Sequence, residues 1–278
     1  MKSDKRKINR RQILVFVIVA AAVYLAVISV WGYNMNPDRY GVNFTEKFVP
    51  PCARYWFGTD KMGRDMLFRS IKGLSISIII GLLASAVSSL IALVLGILSA
   101  IFGGWLDRIV NFCVDLCMGL PHLVLLILIS FMLGKGVYGV TIAVAVTHWP
   151  SLTRLVREEV MKVRSSQYVQ VAYKMGESKL KVAVLHIIPH IIPVYLIGLV
   201  LLFPHAIMHE AALTFLGFGV PREIPAIGGI LSESMTYIVS GKWWLAVFPG
   251  AMLLVAVLLF DAIGDNLKRL LNPTSGNE

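Results

Sequence analysis

Apolar runs of roughly twenty residues alternate with short polar stretches along the chain. The pattern predicts helices that cross a bilayer, because about 20 residues rising about 1.5 Å each span the roughly 30 Å of hydrocarbon. The runs are Ile13 to Trp31, Ser75 to Phe102, Ile109 to Leu133, Tyr138 to Trp149, Ile191 to Gly217 and Trp243 to Ala262. The fourth is short and needs residues on either side to complete a crossing. Pro121 and Pro204 fall inside spans and are expected to kink them. In the second run small residues recur at helical spacing, as on a face where helices approach closely in lipid. The expectation is an all-α membrane protein with six transmembrane helices.

Composition agrees: 57% of the 278 residues are apolar and 15% are charged, which excludes a soluble fold of this size. The net charge of +10 is local, with six of the 26 Lys and Arg in the first eleven residues and seven from Arg154 to Lys181. Clustering beside apolar runs marks membrane orientation, not a nucleic-acid partner. An even number of spans places both termini on one side, and the basic start assigns that side to the cytoplasm. The first run is longer than the apolar region of a signal peptide and no small-residue cleavage site follows, so it is read as an uncleaved span.

Several polar constellations are candidates for chemistry. "GTDKMGRD", Gly58 to Asp65, has the glycine spacing of a phosphate loop, but Arg64 and Asp65 stand where Lys and Ser or Thr are needed. No Walker-type motif occurs elsewhere. The stretch reads instead as an outer segment, with Asp60 capping a short helix and "RDMLFRSIKG" forming an interfacial helix before span two. "HAIMHE" places His205 and His209 on one helix face beside Glu210, a set expected to line a wet substrate path. No metal site is assigned there, because the zinc-protease spacing is absent. Asp107 and Asp115 suit either a proton relay or paired groups at the membrane boundary. Cys113 and Cys117 share a helix face and read as apolar packing. "VPREIPAIGGILSESM", Val220 to Met235, suits a re-entrant segment or an outer cap.

The polar segment "SSQYVQVAYKMGESKLKVAVLHIIPHIIP" joins spans four and five and carries two helix-length pieces around Gly176. Tyr168, Val169, Val171, Ala172 and Met175 form an apolar stripe at helical spacing. From Gln170 to Pro189 it reads Q-V-A-x3-G-x9-H-x-I-P, which resembles the E-A-A-x3-G-x9-I-x-L-P signature of ABC-importer permeases. Ala172, Gly176 and Pro189 match, whereas Gln170, Val171, His186 and Ile188 depart from it. "FGTDKMGRD", "WLDRIVNFCVDLCMGLP" and "HEAALTFLGFGVP" resemble further segments of one branch, the second permease of dipeptide, oligopeptide and nickel importers. Together the match runs from Phe57 to Leu271. One departure is Ile227, at a position where that branch usually has Trp.

The resemblance implies a binding-protein-dependent, type I importer permease in the cell inner membrane. Its expected organisation is a basic cytoplasmic tail (1–12), a first span with external loop (13–70), a permease core (71–271) containing the coupling hairpin (165–190), and a C-terminal tail (272–278). The implied partners are a second permease subunit, two ATP-binding subunits that hold ATP and magnesium, and an external substrate-binding protein. This chain would have no catalytic residues and no cofactor of its own. Peptide is the implied substrate, with nickel or a metal chelate as the alternative. A proton-coupled transporter using Asp107, Asp115 and Glu210 is the reading from a different class, and a metal enzyme using His205, His209 and Glu210 is a more distant one.

Overall fold

The computed structural model describes residues 10–271. The C-terminal tail and nearly all of the basic tail anticipated from the sequence lie outside the described residues. Ten helices follow one another: α1 (Arg10–Tyr33), α2 (Met66–Phe102), α3 (Gly104–Gly119), α4 (His122–Met132), α5 (Gly136–Arg164), α6 (Gln167–Lys174), α7 (Lys179–Val182), α8 (Ile188–Phe215), α9 (Ile227–Ile238) and α10 (Trp244–Leu271). Among the described residues, α1, α2, the run Lys179–Phe215 and α10 are each long and apolar enough to span a membrane, and α3 with α4 adds a fifth span if the bent pair is one.

The difference from six spans has two physical sources. The run Ile109 to Leu133 is broken at Leu120 and Pro121, and the chain turns by 99° between α3 and α4. A proline lacks the N–H that would continue the helix and disfavours helical geometry in the residue before it. Pro204, by contrast, leaves α8 continuous. The short fourth run lies in the 29-residue α5, whose middle carries Thr147, His148, Pro150, Ser151 and Thr153 and whose end is charged. That polar content keeps α5 from the continuous apolar run of the other spans, although Tyr138, Ile142 and Val146 leave an apolar strip exposed on it.

α5 makes its most extensive contact with α2, and both also pack on α8. The small residues of α2 allow this approach. A Cβ on Gly96 would stand 2.8 Å from Val156 Cγ1 and 3.1 Å from the Thr153 carbonyl of α5. α1 packs on α2 and α10 and leaves most of its apolar side chains exposed, the expected state for a lipid-facing helix.

The "FGTDKMGRD" segment is a clasp at the start of α2. Asp65, not Asp60, caps the helix, accepting the Leu67 N–H at 2.8 Å. "RDMLFRSIKG" is continuous with α2 and not a separate interfacial helix. Asp60 instead receives Arg64 Nε at 2.7 Å and Arg69 Nη1 at 3.1 Å, while Arg69 Nη2 reaches Glu233 of α9 at 3.0 Å. The Pro- and Gly-rich segment before α9 leads into a helix seated against α8, so close that a Cβ on Gly228 would stand 2.1 Å from the Ala211 carbonyl. Ile227 fills a buried position there.

Candidate functional site

Helix α6 ends in a glycine turn whose hydrogen bonds account for its shape. The Gly176 N–H donates to the Tyr173 carbonyl at 3.1 Å and the Glu177 N–H to the Ala172 carbonyl at 3.2 Å. These are the paired bonds of a Schellman cap, and Gly176 takes the required left-handed conformation with φ +87°. The chain then enters α7, one widened helical turn from Ala183 to Ile187, and α8. Pro189 follows that turn and cannot donate to the carbonyl four residues back, so local widening of the helix is an expected accommodation.

The apolar stripe of α6 divides into two faces. Val169 and Ala172 are buried at 0% and 8% exposure and join a core that includes Val163, Val182, Ala183 and Ile187. Tyr168, Val171 and Met175 point away from it, at 49%, 53% and 80% exposure. The inner face fastens the hairpin to its own protein; the outer face is about half or more exposed, and the His186 ring stands edge-on to Tyr168 at 6.5 Å.

Two departures from the signature have internal work. Gln170 Nε2 donates to the Arg164 carbonyl at 2.9 Å, bracing the hairpin entry. His186 Nε2 lies 3.3 Å from Glu177 Oε2, and Lys181 Nζ lies 2.9 Å from Glu177 Oε1. These contacts, led by the Lys181 hydrogen bond and assisted by His186, hold the Glu177 carboxyl below its usual pKa.

The hairpin is tied to the rest of the bundle through α5. Arg157 grips Asp107 of α3 with both guanidinium arms, Arg154 pairs with Asp115, and Arg164 Nη1 donates to the Ala100 carbonyl of α2 at 2.7 Å. Asp107 and Asp115 are therefore paired groups, one of the two roles their positions suggested. Cys113 and Cys117 pack against the same core as α6.

A second constellation lies where α3 breaks. A cavity of about 350 Å³ is bordered by Met118 and Leu120 of the break, by His122, by His148 of α5 and by His205 and His209 of α8. His205 and His209 thus share one face, as their spacing indicates. The set that converges is different: His122, His148 and His209 bring one ring nitrogen each to within 4.8 Å of one another. His122 and His148 had no local signal, because neither has a chemically suggestive neighbour in sequence. Glu210 turns elsewhere. It is fully buried, accepts the Thr214 hydroxyl at 2.9 Å, and lies outside the cavity.

A family described as the binding-protein-dependent transport system inner membrane component matches residues 92–274. The chain belongs to this family. The permease is 31% identical over 262 residues, covering 94% of this chain and 87% of the relative, to the probable D,D-dipeptide transport system permease protein DdpC of Escherichia coli (strain K12). It is 30% identical over 90% of its length to the dipeptide transport system permease protein DppC of Bacillus subtilis (strain 168), covering 79% of that protein. Identity is also 30% to the oligopeptide transport system permease protein OppC of the same organism, over 94% of this chain and 83% of that one. A chain from the structure of the inward-facing MetNI methionine ABC transporter superposes with a TM-score of 0.59 at 17% identity, covering 74% of the permease and 98% of that chain. The multi-pass, all-helical importer-permease fold is therefore shared, and the permease is a component of the inner membrane.

Proposed function

We propose that this chain forms half of the translocation path of an ATP-driven peptide importer and receives the force of ATP binding through the outer face of α6. The carrying observation is the division of that helix: Val169 and Ala172 anchor it while Tyr168, Val171 and Met175 present exposed apolar surface, touched among the described residues only where the His186 ring meets the edge of Tyr168. An apolar face of that kind is stabilised by a groove on another protein. In this reading the partners are two ATP-binding subunits holding ATP and magnesium, a second permease subunit across the path, and an external binding protein that delivers cargo, a set that membership of a binding-protein-dependent family supports. The relatives' names, dipeptide, D,D-dipeptide and oligopeptide, favour peptide over the nickel alternative.

In this reading the hairpin behaves as one rigid lever. The glycine turn and its capping bonds keep α6 and α7 together, so a push on α6 passes through α7 to α8. A second route runs back along α5 to α3 through Arg157 and Asp107. The α3–α4 break at Pro121, bordering the histidine cavity, lies at the far end of that route. Movement there would change access to the substrate path, with His205 and His209 on its wall.

The proton-coupled alternative is disfavoured by the same contacts. Asp107 and Asp115 are each engaged by a guanidinium group of α5, which gives both carboxylates a role in holding α3 to α5 without a proton relay. The test of the lever is Val171→Asp and Met175→Asp in the full chain. Uptake of a labelled dipeptide and co-purification of the ATP-binding subunits are expected to fall at least about tenfold, the loss of about 1.4 kcal/mol of docking free energy, with membrane levels unchanged. Normal uptake by both variants would remove the lever from the mechanism.

A further inference from the structure

The three converging imidazoles are a constellation that transport of a peptide does not by itself require. Their ring centroids form a nearly even triangle, 4.8 Å from His122 to His148, 4.6 Å from His122 to His209 and 5.0 Å from His148 to His209. They come from three separate helices and border an open cavity, so the arrangement is made by tertiary packing and not by one helical repeat.

The hydrogen bonding of His148 and the bare nitrogens of the cluster suit a ligand set. His148 Nδ1 lies 2.8 Å from the Val144 carbonyl. A carbonyl only accepts, so Nδ1 carries the proton and Nε2 keeps its lone pair. That nitrogen is buried with no hydrogen-bond partner, and so is His122 Nε2. A buried polar atom without a partner is costly in a folded protein. A backbone carbonyl that fixes one ring nitrogen while the other stays bare is the outer-shell arrangement found at metal-bound histidines.

We propose that His122, His148 and His209 bind one divalent transition-metal ion of the zinc class in this cavity. Three neutral imidazoles suit such an ion, and the cavity leaves a fourth position open to water or to a donor group of the cargo. Metal–nitrogen bonds of about 2.0–2.1 Å place tetrahedral ligand nitrogens roughly 3.4 Å apart. Binding therefore draws the three rings inward from their present spacing. Their attachment to separate helices makes the ion a cross-link between α4, α5 and α8, at the point where the chain turns between α3 and α4. His205 borders the cavity but lies outside the converging set, and Glu210 takes no part.

The test uses the full chain, purified through a tag that contains no histidine, reconstituted in lipid nanodiscs and dialysed against Zn²⁺ in excess Mg²⁺. Bound metal is measured by mass spectrometry. About one equivalent of Zn²⁺ is expected on the wild type, with affinity reduced at least ~10-fold in His148→Ala and in His209→Ala. His190→Ala and His205→Ala are expected to retain the ion. Because a cavity variant can misfold, the wild type is also loaded with Co²⁺ and with Zn²⁺: ligand-field bands of a nitrogen-rich tetrahedral site, and X-ray absorption showing three imidazole nitrogens, are expected. Zn²⁺ binding no greater than that of the triple His→Ala variant, or a metal shell built of oxygen alone, would overturn the proposal. A protein that imports peptides normally but retains no Zn²⁺ would refute this site and leave the peptide-permease reading intact.

Discussion

Arg157 of α5 holds Asp107 of α3 in a two-armed grip, Nε to Oδ1 at 2.6 Å and Nη2 to Oδ2 at 2.8 Å, while Asn111 adds a third contact to Oδ1 at 2.8 Å. The helix that leads into the hairpin is thereby fixed to the helix that ends at the Pro121 break. Lysine can replace the charge of Arg157 but not its planar fork. Arg157→Lys and Asp107→Asn are each expected to lower initial dipeptide uptake by roughly three- to tenfold, and the double variant by little more than either single change. Uptake normalised to membrane protein tests this. Additive losses would show that the two residues act separately.

Gly176 is the second point at which the proposed lever can be broken. Its φ of +87° is a conformation that side chains bearing a Cβ resist, although among the described residues, its two chain neighbours apart, no heavy atom lies within 4 Å of where that Cβ would stand. The cost is therefore one of backbone conformation, about 1–2 kcal/mol. Gly176→Val is expected to leave the protein in the membrane and to reduce uptake severely. Gly176→Asp, which also brings a charge to the turn beside the docking face, is expected to abolish it. Uptake assays with quantified membrane levels distinguish this from loss of the protein.

The clasp at the start of α2 is a buried charge network. Arg69 is 4% exposed and is held by Asp60 and Glu233. Removing one partner leaves a buried cation under-compensated, with a typical cost of about 3–5 kcal/mol. Asp60→Ala is expected to lower the thermal unfolding midpoint of the purified protein sharply, and Asp60→Asn by less. A midpoint unchanged in Asp60→Ala would mean that Glu233 alone is enough to compensate Arg69.

The turn of the hairpin carries a pH dependence of predictable sign. Lys181, then His186, hold the Glu177 pKa below its unfolded value, so the stabilising contribution is present above the usual carboxylate range and is lost as pH falls through the lowered folded value. Glu177 lies near the surface, so the effect is local. Amide exchange in residues 173–182, corrected for intrinsic rates, is expected to accelerate between neutral pH and about pH 3. Glu177→Gln is expected to remove most of that difference.

Much of the architecture was legible because local rules determine it. Apolar runs about twenty residues long must find lipid or one another, and Gly176 marks the turn because few other residues tolerate its conformation. The signature from Gln170 to Pro189 also identified the hairpin, and the relatives bear out the importer family it pointed to. The inner and outer faces of α6 were not separable in sequence, since Val169 and Val171 are chemically alike and only the packing of α6 on the core divides them. Asp60 and Asp65 show the same limit, because both can cap a helix and only the position of Arg69 decides which is taken for the clasp.

The sequence by itself determined the solvent, the helical class, the glycine turn and the family, all of which follow from hydropathy, spacing and backbone preference. The tertiary structure alone decided the company that ionisable residues keep. A 99° break at Pro121 and the crossing of α5 with α8 bring His122, His148 and His209 together from positions 26 and 61 residues apart along the chain. Glu210 is the contrast: the geometry of α8 itself points it away from the adjacent His209 and toward Thr214 four residues on. Imidazoles on three helices have no common sequence period, so their meeting is a property of helix packing and of nothing shorter.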